Sequence, residues 1–413
     1  MSESDRQARA ARLAVLVIFA AHSFLFASWT AHIPGVKAEL GLDDAQLGLA
    51  ILGAPVGAIT AIVATGRLLA RFGSQRVMQA TLAGYCASAV TVGLAGSQAE
   101  LFGALALWGL FQGSLDVAMN TQGVTVERAI GRPVMSGFHC AWSLGGFAGA
   151  GTGALVVGLG GGLAAQLAIT GVALGGIAGF ATMRLLPDPE EHTAQEAAKE
   201  EVAAGSPVPG SAAAVDGRPA RPARGGVLRQ RTVLLLGFMG LACMLCEGAA
   251  ADWSAVQLRE SLGASGAVAG LAYASFSAGM VVLRFTGDRL MVRFPAQTAV
   301  PLLAAAATVS FSTALATGSV PVMLVGWATL GLGVALIIPA VLSAAGRIPG
   351  VPPGTAVAAV SGLAWAGYVG SPPLIGFLAH QTSLQATLVL IPVATATVAI
   401  VARFSGALRL SPS

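Results

Sequence analysis

The chain has 413 residues, of which 55% are apolar and only 10% are charged. Since soluble proteins average about 25% charged residues, most of this chain has no surface suited to water. The net charge of +4 gives no indication of nucleic-acid binding, and four cysteines in 413 residues do not indicate a disulfide-stabilised fold. These values exclude an ordinary soluble domain and favour an integral membrane protein.

Apolar segments long enough to cross about 30 Å of hydrocarbon recur along the whole chain. The first segment ends in Trp29, His32 and Pro34 and is too long for a signal peptide, so we expect it to be retained as a helix. The pattern predicts an all-α membrane protein with twelve transmembrane helices. The predicted helices cover residues 13–33, 46–66, 77–95, 100–124, 135–158, 162–184, 231–256, 266–286, 297–317, 320–344, 354–378 and 384–403.

The twelve segments form two groups of six, separated by a stretch that lacks apolar character. That stretch begins at Pro187 with an acidic, alanine-rich run and continues as a Pro/Gly/Ala-rich run. Because it has too few apolar residues to build a core, we predict a flexible cytoplasmic linker. The predicted units are a six-helix bundle over 1–186, the linker over 187–229 and a second six-helix bundle over 230–413.

Short motifs of the first half return in the second half at an offset of about 223 residues. Four matches at nearly one offset indicate that the halves are repeats and that the two bundles are pseudo-symmetric. In membrane proteins built from parallel six-helix repeats, the binding site lies between the halves. The matching pairs are Trp29-Thr-Ala with Trp253-Ser-Ala, Gly48-Leu-Ala with Gly270-Leu-Ala, Thr65-Gly-Arg-Leu with Thr286-Gly-Asp-Arg-Leu, and Trp142 with Trp365.

The positions of the basic residues predict the orientation in the membrane. If both termini lie on one side, twenty-one of the 23 basic residues are on that side, with Arg284 counted among them. Only Lys37 and Arg259 are on the other side. Because basic loops face the cytoplasm, both termini are predicted to be cytoplasmic.

A carboxylate lies in the middle of the fourth segment. Asp116 belongs to a stripe at i, i+4 spacing that also contains Trp108, Gln112 and Asn120. An ionised Asp at the bilayer centre costs roughly 2.5–3.5 kcal/mol, so the stripe is expected to face a cavity or another helix. The alternative role of Asp116 and Asn120 is a hydrogen bond between helices that holds the bundle together. In the second half, Glu247 of the seventh segment is the counterpart of Asp116.

Other polar and aromatic residues within the segments are candidates for the same cavity. His139 and His22 are placed to relay a proton or to line the cavity, although a structural hydrogen bond explains either of them equally well. We expect Trp142 and Trp365 to stack on a solute, together with Gln112 and Asn120 as polar contacts. The residues predicted for an outer gate are Trp29, Asp252 and Trp253. Interface anchoring is the alternative for the tryptophans, and a helix-end role or solute binding is the alternative for Asp252.

The basic loop after the second segment, from Gly66 to Arg76, resembles a signature of the major facilitator superfamily. Arg71 and Gly73 fit that signature, whereas Ala70 stands where the family has Asp. The resemblance implies a two-bundle fold and a loop that helps to close the cytoplasmic side. The residues that it nominates for a cytoplasmic gate are Gly66, Arg71, Gly73, Arg76, Glu127, Arg128, Asp288 and Arg289.

Asp116-Val-Ala-Met-Asn120 resembles the Glu-x-Ala-x-Asn stretch of the fucose-permease-like branch, and the residues that follow resemble uncharacterised bacterial inner-membrane transporters. Two sequence features that are typical of drug antiporters are absent. Gly109 occupies the place of their fourth-helix Arg, and the glycines of the fifth segment lack the accompanying proline. Small-residue spacings such as Gly53-x-x-x-Gly57 and Gly145-x-x-x-Gly149 are expected either to let the halves rock or to serve static packing.

The resemblance and the buried acids together imply a secondary active transporter that moves a small polar solute, sugars included, by alternating access. Asp116, Glu247 and His139 are expected to couple transport to protons. We expect a monomer in a bacterial cytoplasmic membrane, with a small solute, protons and the lipid bilayer as partners, and with no cofactor and no nucleic acid. No phosphate-binding, metal-protease or nucleophile motif is found, so an enzyme is not expected. The alternatives are a proton-driven exporter of amphipathic compounds and a non-transporting membrane sensor.

Overall fold

The computed structural model describes residues 3–132, 134–187, 230–349, 351 and 353–408. This part of the chain contains fifteen α-helices and one π-helical segment, and it has no strand. The helices are α1 (Glu3–Thr30), α2 (Ile33–Glu39), α3 (Asp44–Ile51), α4 (Gly53–Val92), α5 (Gln98–Ile130), α6 (Met135–Gly158), α7 (Leu163–Thr182), α8 (Arg231–Val256), α9 (Gly266–Arg293), α10 (Ala296–Thr317), α11 (Val320–Val334), α12 (Ile337–Ala345), α13 (Pro353–Gln381), α14 (Leu384–Thr387) and α15 (Leu390–Phe404); the π-helical segment is Gln257–Ser261.

These elements form twelve passes across the molecule, as predicted. Helix α4 contains two passes, because its backbone leaves the helical region at Gly73. The second pass is α3 with the first part of α4, the tenth is α11 with α12, and the twelfth is α14 with α15. The described chain has ten helical stretches that are long and apolar enough to cross a membrane, and some of them, such as Val320–Ala345, join two adjacent helices. The prediction of an all-α membrane protein is therefore confirmed.

Gly73 makes the turn between the second and third passes. Its φ of 75° and ψ of 159° lie in a region that residues with a Cβ rarely adopt. Glycine is therefore required at this point of the loop from Gly66 to Arg76. Gly73, which is predicted for the cytoplasmic gate, therefore serves in this structure to let the backbone turn.

Helix packing follows the same scheme in both halves. The first pass (α1) packs on the fifth (α6), and the seventh (α8) packs on the eleventh (α13). The third pass packs on the sixth, and the ninth (α10) packs on the twelfth (α15). The two bundles meet through two equivalent pairs, α6 with α9 and α3 with α13. The pseudo-symmetry predicted from the repeats is thus present in the packing.

The repeat-related glycines lie at these two contacts between the bundles. A Cβ at Gly48 of α3 would overlap the carbonyl oxygen of Pro372 in α13. A Cβ at Gly270 of α9 would lie 2.7 Å from the Cβ of Ala31 and 2.8 Å from that of Ala154. Both positions therefore need glycine, because the facing backbones approach too closely for a side chain.

The glycines predicted to form smooth faces between the halves pack instead within the first bundle. Gly53 and Gly57 face the backbone of α5 at Phe102 and Ala106. Gly145 and its neighbours on α6 face the backbone of α1. The prediction that these glycines form a surface on which the two halves rock is wrong, because they face a neighbouring helix of the same bundle.

The predicted linker between the two bundles falls between two described helices. Helix α7 ends at Thr182 and α8 begins at Arg231. Apart from Pro187, the predicted linker 187–229 lies outside the described residues. Its boundaries and character remain predictions.

Candidate functional site

A cavity of about 320 Å³ lies between the two bundles near the middle of the molecule. Both halves of the chain contribute polar and aromatic side chains to its wall. The first bundle supplies Phe19, His22, Phe26, Trp29, Trp108, Gln112, Asp116, Asn120, His139 and Trp142. The second bundle supplies Glu247, Asp252, Tyr273, Arg284, Trp365 and Tyr368.

The stripe predicted on α5 faces this cavity along its whole length. Trp108, Gln112, Asp116 and Asn120 all line the wall, because residues four apart share one side of a helix. The Asn120 side-chain amide donates to Oδ1 of Asp116 over 3.3 Å and to its backbone carbonyl over 2.8 Å. The amide thus holds the carboxylate in place, and the second carboxylate oxygen remains for a proton or a solute.

Glu247 of α8 lies on the opposite wall and is paired with an arginine. Its Oε1 is 3.9 Å from Nη2 of Arg284 in α9. The Nη1 of Arg284 donates to Oγ of Ser143 over 2.9 Å. Since Ser143 is on α6 of the first bundle, this chain of contacts connects the two bundles at the cavity wall.

Arg284 is the site residue that the sequence analysis placed wrongly. It was counted among the basic residues at the cytoplasmic ends, yet its guanidinium lines the cavity. Its position inside the predicted segment 266–286 was the available signal, since a basic residue within a membrane span is rarely without function. Removing it from the count of basic residues leaves the predicted orientation unchanged.

An aromatic cluster surrounds His22 on α1. The Trp142 indole N–H points at Nδ1 of His22 over 3.3 Å, and the Tyr85 hydroxyl donates to the His22 carbonyl over 2.9 Å. Tyr85 in turn stacks on Trp108 with ring centroids 5.5 Å apart. Both His22 and Trp142 line the cavity, so their mutual hydrogen bond is part of the wall.

His139 and Trp365, predicted for proton relay and solute stacking, also reach the cavity. The His139 ring contacts Phe19 edge to face with centroids 5.6 Å apart. Trp365 is 42% exposed and packs edge to face on Tyr368 at 5.7 Å. A large part of the Trp365 surface is therefore not covered by the protein.

The residues predicted for an outer gate are divided between two places. Trp29 and Asp252 line the cavity itself. Trp253 is fully buried, and its ring would lie 3.2 Å from a Cβ at Gly376 in α13. Trp253 thus packs beside the contact between α3 and α13.

A charged network that the sequence did not indicate closes the end of the molecule opposite the termini. Nζ of Lys37 in α2 donates to Asp44 Oδ1 over 2.6 Å and to Glu260 Oε2 over 2.5 Å. A second contact across the bundles, between Asp43 and His380, is longer at 3.7 Å and more exposed, and it is an ion pair only when the imidazole is protonated. These ion pairs and the helix contacts described above hold the bundles together in this half of the molecule.

The residues predicted for a cytoplasmic gate make local contacts in this structure. Glu127 Oε2 accepts hydrogen bonds from the backbone N–H groups of Val134 and Met135, so it caps the start of α6. Arg71 lies over the ring of Phe72 at 5.2 Å. Arg76 and Arg128 are exposed, and a Cβ at Gly66 would meet open space. The side chains of Asp288 and Arg289 lie outside those that the structure describes.

The cavity therefore combines acids from both bundles, one arginine and aromatic walls. Within the described residues, no group of three or more His, Cys, Asp or Glu side chains is placed to hold a metal ion. The cavity suits reversible binding of a small molecule, with aromatic faces for contact area and a few polar groups for orientation.

Comparisons with known proteins place the chain in a family. The sequence pattern of the Major Facilitator Superfamily matches residues 14–251. An uncharacterized MFS-type transporter of Yersinia pestis is 30% identical over 377 residues, covering 91% of both chains. An uncharacterized transporter of Sinorhizobium fredii is 29% identical over 384 residues, covering 93% of this chain and 95% of that protein.

Solved structures show the same fold at low sequence identity. A bacterial homologue of the human lysosomal transporter Spinster, inward-facing and unoccupied, matches with a TM-score of 0.71 and 15% identity over the whole of both chains. A D-xylose–proton symporter matches with a TM-score of 0.70 and 12% identity over 98% of both chains. The resemblance to the superfamily is confirmed, while the fucose-permease-like branch stays a prediction. The chain belongs to the major facilitator superfamily.

Proposed function

We propose that this transporter moves a small polar solute by alternating access and couples that movement to protons. The observation that carries the proposal is the position of Asp116 and Glu247. They come from different bundles, and both line the same central cavity. A proton that binds to Asp116 or Glu247 therefore lies at the boundary between the two bundles that would move against each other.

Proton binding would lower the cost of changing conformation. A carboxylate among apolar and aromatic walls is unfavourable when it is charged and has no close partner. Asp116 has only the Asn120 amide as a described partner, and the Glu247–Arg284 contact is long at 3.9 Å. Protonation removes the charge before the wall rearranges, and deprotonation on the other side completes the cycle.

The wall chemistry supports a solute with several hydroxyl groups. Gln112 and Asn120 offer amide donors and acceptors, and Trp142 and Trp365 offer flat aromatic faces. Sugar rings use both kinds of contact. The likeness to a D-xylose–proton symporter, which shows only the fold, is compatible with such a solute.

Apart from the Arg284–Ser143 hydrogen bond at the cavity wall, the contacts between the bundles described above lie in the half opposite the termini. The distribution of basic residues predicts that the termini are cytoplasmic, so the closed end would face outward. We therefore assign this structure to an inward-facing state of a monomer in a bacterial cytoplasmic membrane.

One observation favours an exporter of amphipathic cations as a second candidate. The cavity wall carries three carboxylates but, among the described residues, one arginine and no lysine. Eight Phe, Trp and Tyr side chains line the same wall. Aromatic faces and excess negative charge attract organic cations.

Transport in proteoliposomes with an imposed pH gradient tests the proposal, after thermal-shift screening of sugars, amino acids, organic acids and cationic dyes has identified a solute. Asp116→Asn and Glu247→Gln are expected to abolish gradient-driven accumulation while leaving binding detectable. Glu39→Gln, an exposed acid outside the cavity, serves as the control. Full gradient-driven transport by Asp116→Asn would show that the proton-carrier assignment is wrong. Strong binding of cationic dyes without binding of hydroxylated solutes would favour the exporter.

A further inference from the structure

Two grooves on the outside of the bundles occupy equivalent positions in the two halves. One lies between α4 and α7, the third and sixth passes, and measures about 610 Å³. The other lies between α10 and α15, the ninth and twelfth passes, and measures about 660 Å³. Both are bordered by apolar side chains that point away from the protein, such as Val172 at 79% and Ile400 at 58% exposed. In a membrane, both grooves therefore open toward lipid.

The polar groups of the α4–α7 groove are used within the protein. The Gln79 amide donates to Oγ1 of Thr182 over 3.1 Å, and that hydroxyl also donates to the Gly179 carbonyl. No lysine or arginine lines this groove in the described chain. The nearby Arg184 at the end of the sixth pass lies over the ring of Phe180 at 5.5 Å.

The α10–α15 groove differs in the features that would recognise a charged ligand. Its lining includes Gln297, Thr298 and Arg403 at the end of the molecule that carries the termini. Within the described chain, neither the Gln297 amide nor the Thr298 hydroxyl has a hydrogen-bond partner. Arg403 has no described hydrogen bond or ion pair, and its guanidinium lies over the Phe404 ring at 5.6 Å. The donors and the cation are thus available to a ligand.

The remainder of this groove fits a hydrocarbon chain. Pro301, Leu302 and Ala305 of α10 continue from the polar rim toward the membrane interior, and Ala399 and Ile400 face them from α15. The distance along α10 from Gln297 to Ala305 is about 12 Å at 1.5 Å per residue. That length is most of one bilayer leaflet, whose hydrocarbon is about 15 Å thick.

We propose that the α10–α15 groove binds an anionic phospholipid of the cytoplasmic leaflet, with the phosphate on Arg403, Gln297 and Thr298 and one acyl chain along Leu302 and Ile400. Guanidinium groups form paired, charge-assisted hydrogen bonds with phosphate oxygens. Basic pockets between transmembrane helices on the cytoplasmic side are suited to acidic head groups. In a head group that has no ammonium of its own, the negative charge of the phosphate is free to pair with Arg403. Phosphatidylglycerol and cardiolipin therefore fit better than phosphatidylcholine.

The test measures lipid binding by the full-length protein in detergent, by native mass spectrometry and by thermal unfolding. Phosphatidylglycerol and phosphatidylcholine with identical acyl chains are added at equal concentrations, and sn-glycerol 3-phosphate provides the free head group. Phosphatidylglycerol is expected to bind more tightly and to raise the unfolding temperature more than phosphatidylcholine, while free glycerol phosphate has no effect. Arg403→Gln is expected to weaken phosphatidylglycerol binding about fivefold, the equivalent of roughly 1 kcal/mol per arginine at an anionic surface.

Two variants control for folding and for general surface charge. Arg184→Gln removes the corresponding cation of the sixth pass and is expected to leave phosphatidylglycerol binding unchanged. Arg403→Lys, which keeps the charge and loses the paired geometry, is expected to bind with intermediate affinity. The proposal is overturned if Arg403→Gln and Arg184→Gln weaken binding equally, if the wild type does not distinguish the two lipids, or if glycerol phosphate alone stabilises the protein. None of these readouts depends on transport.

Discussion

Lys37 of the first bundle and Glu260 of the second, separated by 223 residues in the chain, form an ion pair 2.5 Å long. Asp44 accepts a second hydrogen bond from the same ammonium group. The Lys37 and Asp44 side chains are 9% and 19% exposed, so their contact is poorly screened by solvent, whereas Glu260 is 39% exposed. The pair therefore joins the bundles at the end opposite the termini, and we expect the proposed alternating access to require its rupture.

Lys37→Met is expected to open this end of the molecule. Removing the cation leaves two carboxylates close together with no counter-charge, which favours separation of the bundles. Spin labels at Ala99→Cys and Gln381→Cys, two exposed positions at this end, measure the separation after the four native cysteines have been replaced. The expected result is a second, longer distance in Lys37→Met that is minor or absent in the wild type.

The pair between Asp43 and His380 provides the matched control. It also crosses the bundles at this end, but its side chains are 43% and 47% exposed and 3.7 Å apart. Asp43→Asn is therefore expected to change the distance distribution little, because exposed pairs contribute about 0–1 kcal/mol. Combining Lys37→Glu with Glu260→Lys should restore the short distance. Equal effects of Lys37→Met and Asp43→Asn would show that the Lys37 network is not what holds this end closed.

The Lys37 network also predicts a response to pH. Burial by itself would lower the pKa of Lys37, but the hydrogen bonds and the attraction of Asp44 and Glu260 outweigh it and raise that pKa above its ordinary 10.5. A cation with a raised pKa contributes its full stabilisation below pH 10.5 and loses it as the pH rises through the higher value. In a variant that carries Asp116→Asn and Glu247→Gln, whose proposed proton sites no longer titrate, the label distance is therefore expected to stay constant from pH 7 to 10 and to lengthen only at more alkaline pH. Opening already at pH 8–9 would contradict the assigned role of Lys37.

Features encoded by local spacing could be predicted from the sequence. The twelve passes follow from the length of the apolar segments. The stripe through Asp116 on α5 follows from i, i+4 spacing, and all four of its members reach the cavity. The pseudo-symmetric pairing of helices follows from motifs that recur at a constant offset, such as Gly48 and Gly270.

Features that depend on contacts between distant segments could not be predicted in this way. Nothing near Lys37 in the sequence indicates Glu260 as its partner. The glycine spacings on α4 and α6 show that helices approach closely but not which helix faces them. Arg284 was assigned to a cytoplasmic end because counts of basic residues treat all positions near a helix end alike.

Gly48→Val is expected to disfavour the closed arrangement of this structure. A side chain at Gly48 would overlap the Pro372 carbonyl across the contact between the bundles. Overpacking costs typically 1–3 kcal/mol, so the population of the open outer end should rise about fivefold or more. The Ala99–Gln381 label distance measures that population.

Gly57→Ala separates this effect from a general packing defect. A Cβ at Gly57 would overlap the Ala106 carbonyl, which belongs to the same bundle. We therefore expect a lower unfolding temperature and an unchanged distance distribution. A shift of the distance in Gly57→Ala as large as that in Gly48→Val would indicate that bundle stability, and not the contact between the bundles, sets the conformation.

Glu247 and Arg284 are expected to be energetically coupled. Arg284→Gln leaves the Glu247 carboxylate without its cation, and Glu247→Gln leaves the guanidinium with only its hydrogen bond to Ser143. Each single variant should lower the unfolding temperature, and the double variant should lower it by less than the sum of the two. The coupling should be on the order of 1 kcal/mol, within the range found for charged residues in contact. Ser143→Ala is the matched probe of the other contact, because it removes a neutral partner and leaves the ion pair intact. If the two charge-neutralising effects are additive, the 3.9 Å approach carries no energy, and Arg284 is held at the cavity wall by Ser143 instead.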